Sequence, residues 1–140
     1  MTTLTLIRGL PGSGKSTYAK RLREQVACTN GLFPIIFEAD QYFEQSDGSY
    51  LFKPSELGYA HEQCQRLTRY TLERGSSAIV ANTFTTLHEL QPYLDMAHKL
   101  NIAVDILTCR GNFQSIHNVP AQSIDRMAQR WQSIPGEVFI

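Results

Sequence analysis

The chain has 140 residues, enough for one hydrophobic core, and we expect residues 1–140 to form a single domain. Its 13 basic and 13 acidic side chains cancel, so bulk charge predicts neither a nucleic-acid nor a membrane partner, although a local cationic groove would still suit nucleic acid. Three widely spaced cysteines without a C-x-x-C pair, and the lack of a signal-peptide pattern or a long apolar run, favour a cytoplasmic protein with reduced thiols over a disulfide framework, a zinc site or a membrane span.

The first half of the chain alternates short apolar runs with helical patterns. Residues 3–7 predict a strand, and residues 17–26 predict a helix with one apolar face. A turn then leads to a short buried strand at residues 34–37. Residues 41–54 predict a loop with an aromatic cluster that could stack on nucleic-acid bases or pack on itself, formed by Tyr42, Phe43, Tyr50 and Phe52.

A long helix is predicted next, over residues 55–74. Ser55 is a plausible N-cap residue, and Gly75 is suited to the position just after the helix. The predicted inward face of this helix consists of Leu57, Ala60, Cys64, Leu67 and Thr71.

The second half repeats the alternation. Residues 78–81 and 102–107 predict the third and fourth strands, and between them Thr86 and Glu89 have the spacing of a capping box at the start of a helix. Pro92 implies that the first turn of this helix is distorted or that its regular part begins near residue 91. Pro120 suits the start of a last helix, with inward side chains at Ile124, Met127, Trp131 and Ile134.

Strands that alternate with helices predict an α/β fold of three layers, with a mostly parallel central sheet and helices on both faces. Ligands of such sheets bind beyond the carboxyl ends of the strands. The glycine-rich segment after the first strand, Asp40, Asn82 and the polar loop at residues 110–119 all follow strands and are expected at that edge.

Residues 9–17 carry the strongest functional signal. Residues 9–16 match the phosphate-binding pattern G-x-x-x-x-G-K-[ST] at every position. Glycines let backbone N–H groups approach phosphates, the start of the following helix attracts them, Lys15 can reach the β- and γ-phosphates, and the Ser16 hydroxyl can ligate Mg²⁺. We therefore predict a nucleotide-binding P-loop made of Gly9, Leu10, Pro11, Gly12, Ser13, Gly14, Lys15, Ser16 and Thr17.

Asp40 follows the second strand directly. A phosphotransferase needs a carboxylate near the γ-phosphate to orient an acceptor hydroxyl and take its proton, and Asp40 is well placed for this. An aspartate at such a boundary is also a common turn or N-cap residue. Position alone leaves both interpretations open.

The order of these motifs resembles a known family. Residues 9–17, Glu38-Ala39-Asp40-Gln41-Tyr42-Phe43, Ala81-Asn82-Thr83 and His117-Asn118-Val119-Pro120 resemble the P-loop kinase domain of phage-type polynucleotide 5′-kinases and their small stand-alone relatives. The resemblance covers nearly the whole chain and implies a P-loop NTPase/kinase fold, with Asp40 as the general base.

The chain departs from this family pattern in two places. The family often has an acidic residue before Asn82, where this chain has Ala81, which would leave Mg²⁺ to Ser16, Asp40 and phosphate oxygens, while Asn82 could bind a water or the acceptor. The family's lid arginine corresponds to Gln114, so a replacement cation must come from Arg110, Arg126 or Arg130. We favour Arg126 as the catalytic arginine, although a solvated helix face would explain Arg126 and Arg130 equally well.

Together these features predict a kinase that uses ATP and Mg²⁺ to phosphorylate a hydroxyl acceptor, such as a polynucleotide 5′-OH, a nucleoside or another small molecule. The lack of an N-K-x-D guanine motif favours ATP over GTP. The alternative is a nucleotide-binding switch or interaction module with little turnover, which Ala81 and Gln114 favour and Asp40 opposes. No membrane partner is expected, and the sequence does not indicate an oligomeric state.

Overall fold

The structure is a computed structural model, and it describes residues 1–113 and 119–140. Five parallel strands form one sheet in the order β2-β3-β1-β4-β5, which confirms the predicted α/β class. Its elements are β1 (Thr3–Arg8), α1 (Lys15–Asn30), β2 (Ile35–Phe37), α2 (Leu57–Glu73), β3 (Ala78–Asn82), α3 (Leu87–Lys99), β4 (Ala103–Thr108), α4 (Ala121–Gln129) and β5 (Val138–Phe139).

Helices cover both faces of the sheet, which gives the three layers that the sequence predicts. On one face, α1 packs Ala19 against Ile7 and Ile79 of the two central strands. On the other face, α2 and α3 pack against the same strands through residues such as Cys64 and Leu90. Every residue of β3 is buried, which is expected of a parallel strand covered on both sides.

The predicted inward face of α2 is correct for three residues and wrong for two. Ala60, Cys64 and Thr71 are buried, whereas Leu57 and Leu67 are exposed. Leu57 is the first residue of α2. The next buried residue after Cys64 is Thr68, so Leu67 lies beside the buried face of the helix and not on it. The preceding 3₁₀ helix (Pro54–Glu56) contains Ser55, so Glu56 and not Ser55 is the N-cap residue.

The two helices α1 and α2 differ in how well the sequence predicted where they end. The structure extends α1 to Asn30, and the N–H group of Gly31 closes it by donating to Ala27 O at 2.7 Å. Helix α1 therefore begins two residues earlier and ends four residues later than its apolar pattern indicated. The prediction that Gly75 follows α2 is confirmed, since its φ is +84° and its N–H group donates to Leu72 O.

The second half of the chain differs from the predicted elements in detail. Glu89 accepts hydrogen bonds from the N–H and hydroxyl groups of Thr85, one residue earlier than the predicted capping box, and α3 begins at Leu87 and continues through Pro92. The last helix, α4, ends at Gln129, so the buried Ile134 lies in the segment after it and not on a helix face.

A buried arginine anchors the segment after α4. Arg8, at the end of β1, is 0% exposed. Its guanidinium donates to Phe84 O at 2.9 Å, to Gln132 O at 2.8 Å and to Glu137 Oε1 at 2.8 Å, and it lies over the ring of Trp131. These contacts join the end of β1, where the P-loop starts, to residues 131–137. Strand β5 follows that segment and pairs with β4.

Glu137 completes this ion pair. Burial by itself would raise the pKa of the Glu137 carboxyl, but hydrogen bonds from the Thr108 hydroxyl and the Ile134 N–H group, together with Arg8, outweigh burial and hold that pKa below its ordinary value. The carboxylate therefore stays ionised beside Arg8.

We expect Arg8→Met to lower the free energy of unfolding by about 3–5 kcal/mol, because it leaves the Glu137 carboxylate buried without its cation. The matched control is Lys53→Met, which breaks an exposed pair between Lys53 and Glu56 and should cost less than about 1 kcal/mol. Urea unfolding of the two variants measures the difference. Equal losses would mean that the buried pair contributes no more than a surface pair.

Candidate phosphate-binding and catalytic site

The P-loop connects β1 to α1 at the carboxyl edge of the sheet. The main chain of Gly9 donates to Thr83 O, and a Cβ atom at this position would lie 2.2 Å from Ser13 Oγ and 3.0 Å from Cys109 O, so a larger residue would require the loop to shift. Gly14 has a φ of +97°, and the first hydrogen bond of α1 runs from Tyr18 N–H to Gly14 O at 3.0 Å. The N–H groups of residues 15–17 therefore precede that bond and have no partner within the helix.

Two side chains of this loop suit a phosphate chain. Ser13 Oγ is buried and has no hydrogen-bond partner within residues 1–113 and 119–140. Lys15 Nζ donates to Leu10 O at 3.1 Å. Burial lowers the pKa of the Lys15 ammonium, while the neighbouring Cys109, Glu38 and Asp40 oppose that shift. An unsatisfied hydroxyl, a half-buried ammonium and unpaired helix N–H groups form the donor set that an anionic ligand needs.

The segment after β4 packs against the P-loop. Cys109 N–H continues the sheet by donating to Arg8 O, and Phe113 N–H donates to Gly12 O at 2.6 Å. The ring of Phe113 lies 3.4 Å from the place where Gly14 would carry a Cβ atom. Residues 110–113 therefore support the loop directly. The polar loop predicted at residues 110–119 continues through Gln114, His117 and Asn118, and these lie outside the described residues.

The end of β2 brings two carboxylates to the same edge. Ser16 Oγ donates to Glu38 Oε1 at 2.5 Å, which joins the start of α1 to the residue after β2. A 3₁₀ helix (Ala39–Phe43) follows, and within it Asp40 Oδ1 accepts a hydrogen bond from the Tyr50 hydroxyl at 3.2 Å. Burial and the Asp40 carboxylate raise the pKa of Tyr50, so Tyr50 stays protonated and acts as the donor. Ser16 and the Glu38–Asp40 segment thus form one site.

Asn82 holds this segment in place. Its Oδ1 atom accepts a hydrogen bond from Ala39 N–H at 2.8 Å, and its Nδ2 atom lies 3.8 Å from Cys64 Sγ. The backbone pairing of β2 with β3 ends at Phe37 and Val80, so the Asn82 side chain takes over where the main chain turns away. The sequence left open whether Asn82 binds a water or the acceptor or is a turn residue, and in this structure its amide is buried and makes these internal contacts.

The aromatic cluster of the loop packs on itself. Phe43 is buried, and its ring makes edge-to-face contacts with Tyr42, Tyr50 and Phe52 at centroid distances between 5.0 and 6.1 Å. These contacts are the ones expected from the second interpretation, in which the cluster packs on itself.

The three candidate arginines have contacts of their own. Arg110 lies over the ring of Phe139, Arg130 Nε donates to Thr85 Oγ1 at 3.0 Å, and the exposed Arg126 contacts Gln122 O of its own helix. Arg126 lies on α4, the helix that follows the polar loop. Its catalytic role stays a prediction.

Sequence reasoning missed Glu38. The signal was present, because a second acidic residue two positions before Asp40 also follows β2. The oxygen donors here, the Ser16 hydroxyl and the two carboxylates, are of the kind that Mg²⁺ prefers, so the residues fit a P-loop cation as well as phosphates. Within the described ranges, no helix has the length and apolar composition of a membrane span.

Comparison with solved structures identifies the fold. The fold is that of P-loop kinases: a Mycobacterium tuberculosis APS kinase, solved in complex with AMPPNP and APS, aligns with a TM-score of 0.62 and 13% identity over 99% of this chain and 88% of that one. The structure of a Pnkp1/Rnl/Hen1 complex aligns with a TM-score of 0.61 and 17% identity, over 89% of this chain and 38% of that one.

The family follows from the sequence itself. Residues 4–113 match the AAA domain family, and the chain belongs to that family. It is also 33% identical over 139 residues to human NEDD4-binding protein 2, an alignment that includes 92% of this chain. The chain spans only 8% of the length of that relative.

Proposed function

We propose that this protein is an ATP-dependent phosphotransferase that moves the γ-phosphate of ATP to a hydroxyl acceptor. The observation that carries the proposal is the contact between Ser16 of the P-loop and Glu38, because it brings the phosphate-binding loop against the segment that holds Asp40. The same contact would serve the cation of a nucleotide-binding switch, so Asp40, the second carboxylate of this segment, is what favours a transferase.

Each residue has a distinct role in this proposal. The N–H groups at the start of α1 and the Ser13 hydroxyl bind phosphate oxygens, and Lys15 stabilises negative charge on the β- and γ-phosphates. Asp40 accepts the proton of the acceptor hydroxyl as that oxygen attacks phosphorus, while Tyr50 orients the carboxylate. When bound at Ser16 and Asp40, Mg²⁺ would neutralise charge on the phosphates. Arg126 supplies the remaining cation.

The acceptor class rests on the resemblance to polynucleotide 5′-kinases, which implies a polynucleotide 5′-OH, with nucleosides and other small hydroxyl compounds as further candidates. The APS kinase in complex with an ATP analogue supports ATP as the phosphate donor. We also propose that the protein is cytoplasmic, because three free cysteines suit a reducing compartment. Its 140 residues act as one domain in this proposal.

Transfer of label from γ-³²P-ATP tests the proposal. The acceptor panel contains 5′-hydroxyl oligonucleotides of DNA and RNA, nucleosides and simple polyols, each with Mg²⁺. We expect label on one acceptor class. Label on none of them, with ATP bound tightly, would contradict a transferase.

A nucleotide-binding switch is the second candidate. It is favoured by the contacts of Arg110 and Arg130, which engage both side chains with Phe139 and Thr85. A switch would bind ATP and ADP with different affinities and hydrolyse ATP slowly, without dependence on an acceptor.

We expect Lys15→Ala to weaken Mg·ATP binding at least about tenfold, because a charge-assisted phosphate contact contributes roughly 1.5–3 kcal/mol. Lys20→Ala, an exposed lysine of the same helix, is the matched control and should bind like the wild type. Isothermal titration calorimetry measures both. Unchanged affinity in Lys15→Ala would place the phosphates elsewhere.

A further inference from the structure

The solvent-facing side of α2 carries two exposed aromatic rings with an arginine between them. Tyr59 is 63% exposed and Tyr70 is 57% exposed. Arg66, which is also exposed, lies seven residues after Tyr59 and four before Tyr70, and residues at these spacings share one side of a helix. The buried residues Cys64 and Thr68 lie on the opposite side of α2. Tyr59, Arg66 and Tyr70, here called the outer line of α2, therefore add nothing to the packing of this helix on the sheet.

The outer line begins beside the candidate catalytic segment. Glu56, the residue before α2, accepts a hydrogen bond from the Tyr42 hydroxyl at 2.8 Å, and Tyr42 belongs to the same 3₁₀ helix as Asp40. The other end of α2 lies at the amino edge of the sheet, where Gly75 O accepts a hydrogen bond from Thr2 Oγ1 at 2.8 Å. At 1.5 Å per residue, the outer line thus leads about 16 Å away from the segment that holds the candidate base.

The charges around the outer line favour an anionic partner. The exposed charged side chains of residues 57–74 comprise three arginines and two glutamates: Arg66, Arg69, Arg74, Glu62 and Glu73. The Arg74 guanidinium lies over the Tyr70 ring, 5.0 Å from its centroid, and among the described residues Arg66 forms no salt bridge. Aromatic rings that alternate with guanidinium groups suit single-stranded nucleic acid, because its bases stack on the rings and its phosphates bind the cations.

We propose that the outer line of α2 binds single-stranded nucleic acid whose 5′-hydroxyl end lies at Asp40. Unpaired bases stack on Tyr59 and Tyr70, and Arg66 binds a phosphate between them. The placement of the 5′ end rests on the proposed function, which supplies an acceptor hydroxyl at Asp40. Of the three acceptor classes, only a polynucleotide is long enough to occupy both the catalytic segment and the outer line.

The test is a binding measurement that needs neither ATP nor turnover. Fluorescence anisotropy follows a single-stranded oligonucleotide of about eight nucleotides, labelled at its 3′ end. We expect Tyr59→Ala and Tyr70→Ala each to weaken binding about 5- to 100-fold, because each removes a ring on which a base stacks. Tyr59→Phe and Tyr70→Phe keep the ring and should bind like the wild type. Phe33→Ala, the matched control, removes a ring that is 58% exposed in the turn before β2 and should leave binding unchanged.

The role of Arg66 is tested by salt dependence. Loss of one phosphate contact to a single strand lowers the slope of log affinity against log salt concentration by about 0.7. We expect this change in Arg66→Ala. Arg21→Ala, which removes an exposed arginine of α1 on the other face of the sheet, should keep the wild-type slope.

The outcomes separate this inference from the proposed function. Wild-type binding of the oligonucleotide in both Tyr→Ala variants, or no binding by the wild type at low salt, would overturn the inference and leave this face to a protein partner. Loss of binding in the Tyr59 and Tyr70 variants supports the inference. If the wild type also transferred no label from ATP, the proposed function would fail, but the nucleic-acid surface would stand.

Discussion

Replacing Asp40 by asparagine is expected to lower phosphoryl transfer by about 10²–10⁴-fold, the usual contribution of a general base. Asparagine keeps the shape and can still accept the Tyr50 hydrogen bond, but it cannot take up a proton. Affinity for ATP should change little, because Lys15 and the loop N–H groups are untouched and the asparagine carbonyl oxygen can still ligate Mg²⁺. Single-turnover transfer rates at saturating ATP measure the effect on chemistry apart from the effect on binding.

The control for this variant is Asp95→Asn, the same change at an exposed position on α3, which should transfer at the wild-type rate. A wild-type rate in Asp40→Asn would mean that Asp40 is only a turn residue of the 3₁₀ helix.

The second large effect is expected at an arginine. A cation on the transferring phosphoryl group can contribute about 10³–10⁵-fold to the rate, and Gln114 cannot provide it. We expect Arg126→Ala to depress transfer on this scale while Mg·ATP affinity is largely kept. Arg126 is exposed and contacts only a carbonyl of its own helix among the bonds described above, so its side chain can reorient at low cost.

Arg110→Ala and Arg130→Ala provide the comparison within the same measurement. The Arg110 side chain contacts Phe139, and the Arg130 side chain contacts Thr85. Arg130→Ala should therefore act mainly on stability and leave the single-turnover rate near that of the wild type. A large loss at either of them, with normal transfer in Arg126→Ala, would reassign the role. Normal transfer in all three variants would show that no arginine of this set acts on the phosphoryl group.

Much of the fold could be predicted because its signals are local. Short apolar runs alternate with helical patterns, which defines a parallel sheet with helices on both faces, and Gly75 ends α2 as expected. The strand β5 could not be predicted. It has two residues, Val138 and Phe139, and it is held by contacts made far along the chain, such as the pair between Arg8 and Glu137, which are 129 residues apart.

The same distinction applies to the site. The P-loop is a contiguous motif, so Lys15 and Ser16 were found directly from the sequence. The contact of Ser16 with Glu38 and the bond from Ala39 to Asn82 join segments that are 22 and 43 residues apart, and only the stacking of β2, β3 and α1 brings them together. A charged residue in a strand, such as Arg8, carries no local indication of whether it is buried and paired.

The decisive measurement is a single-turnover reaction in which excess protein is mixed with γ-³²P-ATP and Mg²⁺, with and without the acceptor that labels best. The label is separated into ATP, inorganic phosphate and phosphorylated acceptor over time. We expect ATP to disappear much faster when acceptor is present, with the label on the acceptor hydroxyl, and we expect a Lys15→Ala preparation purified in parallel to show neither. Loss of ATP to inorganic phosphate at one rate, whether acceptor is present or absent, would contradict a phosphotransferase.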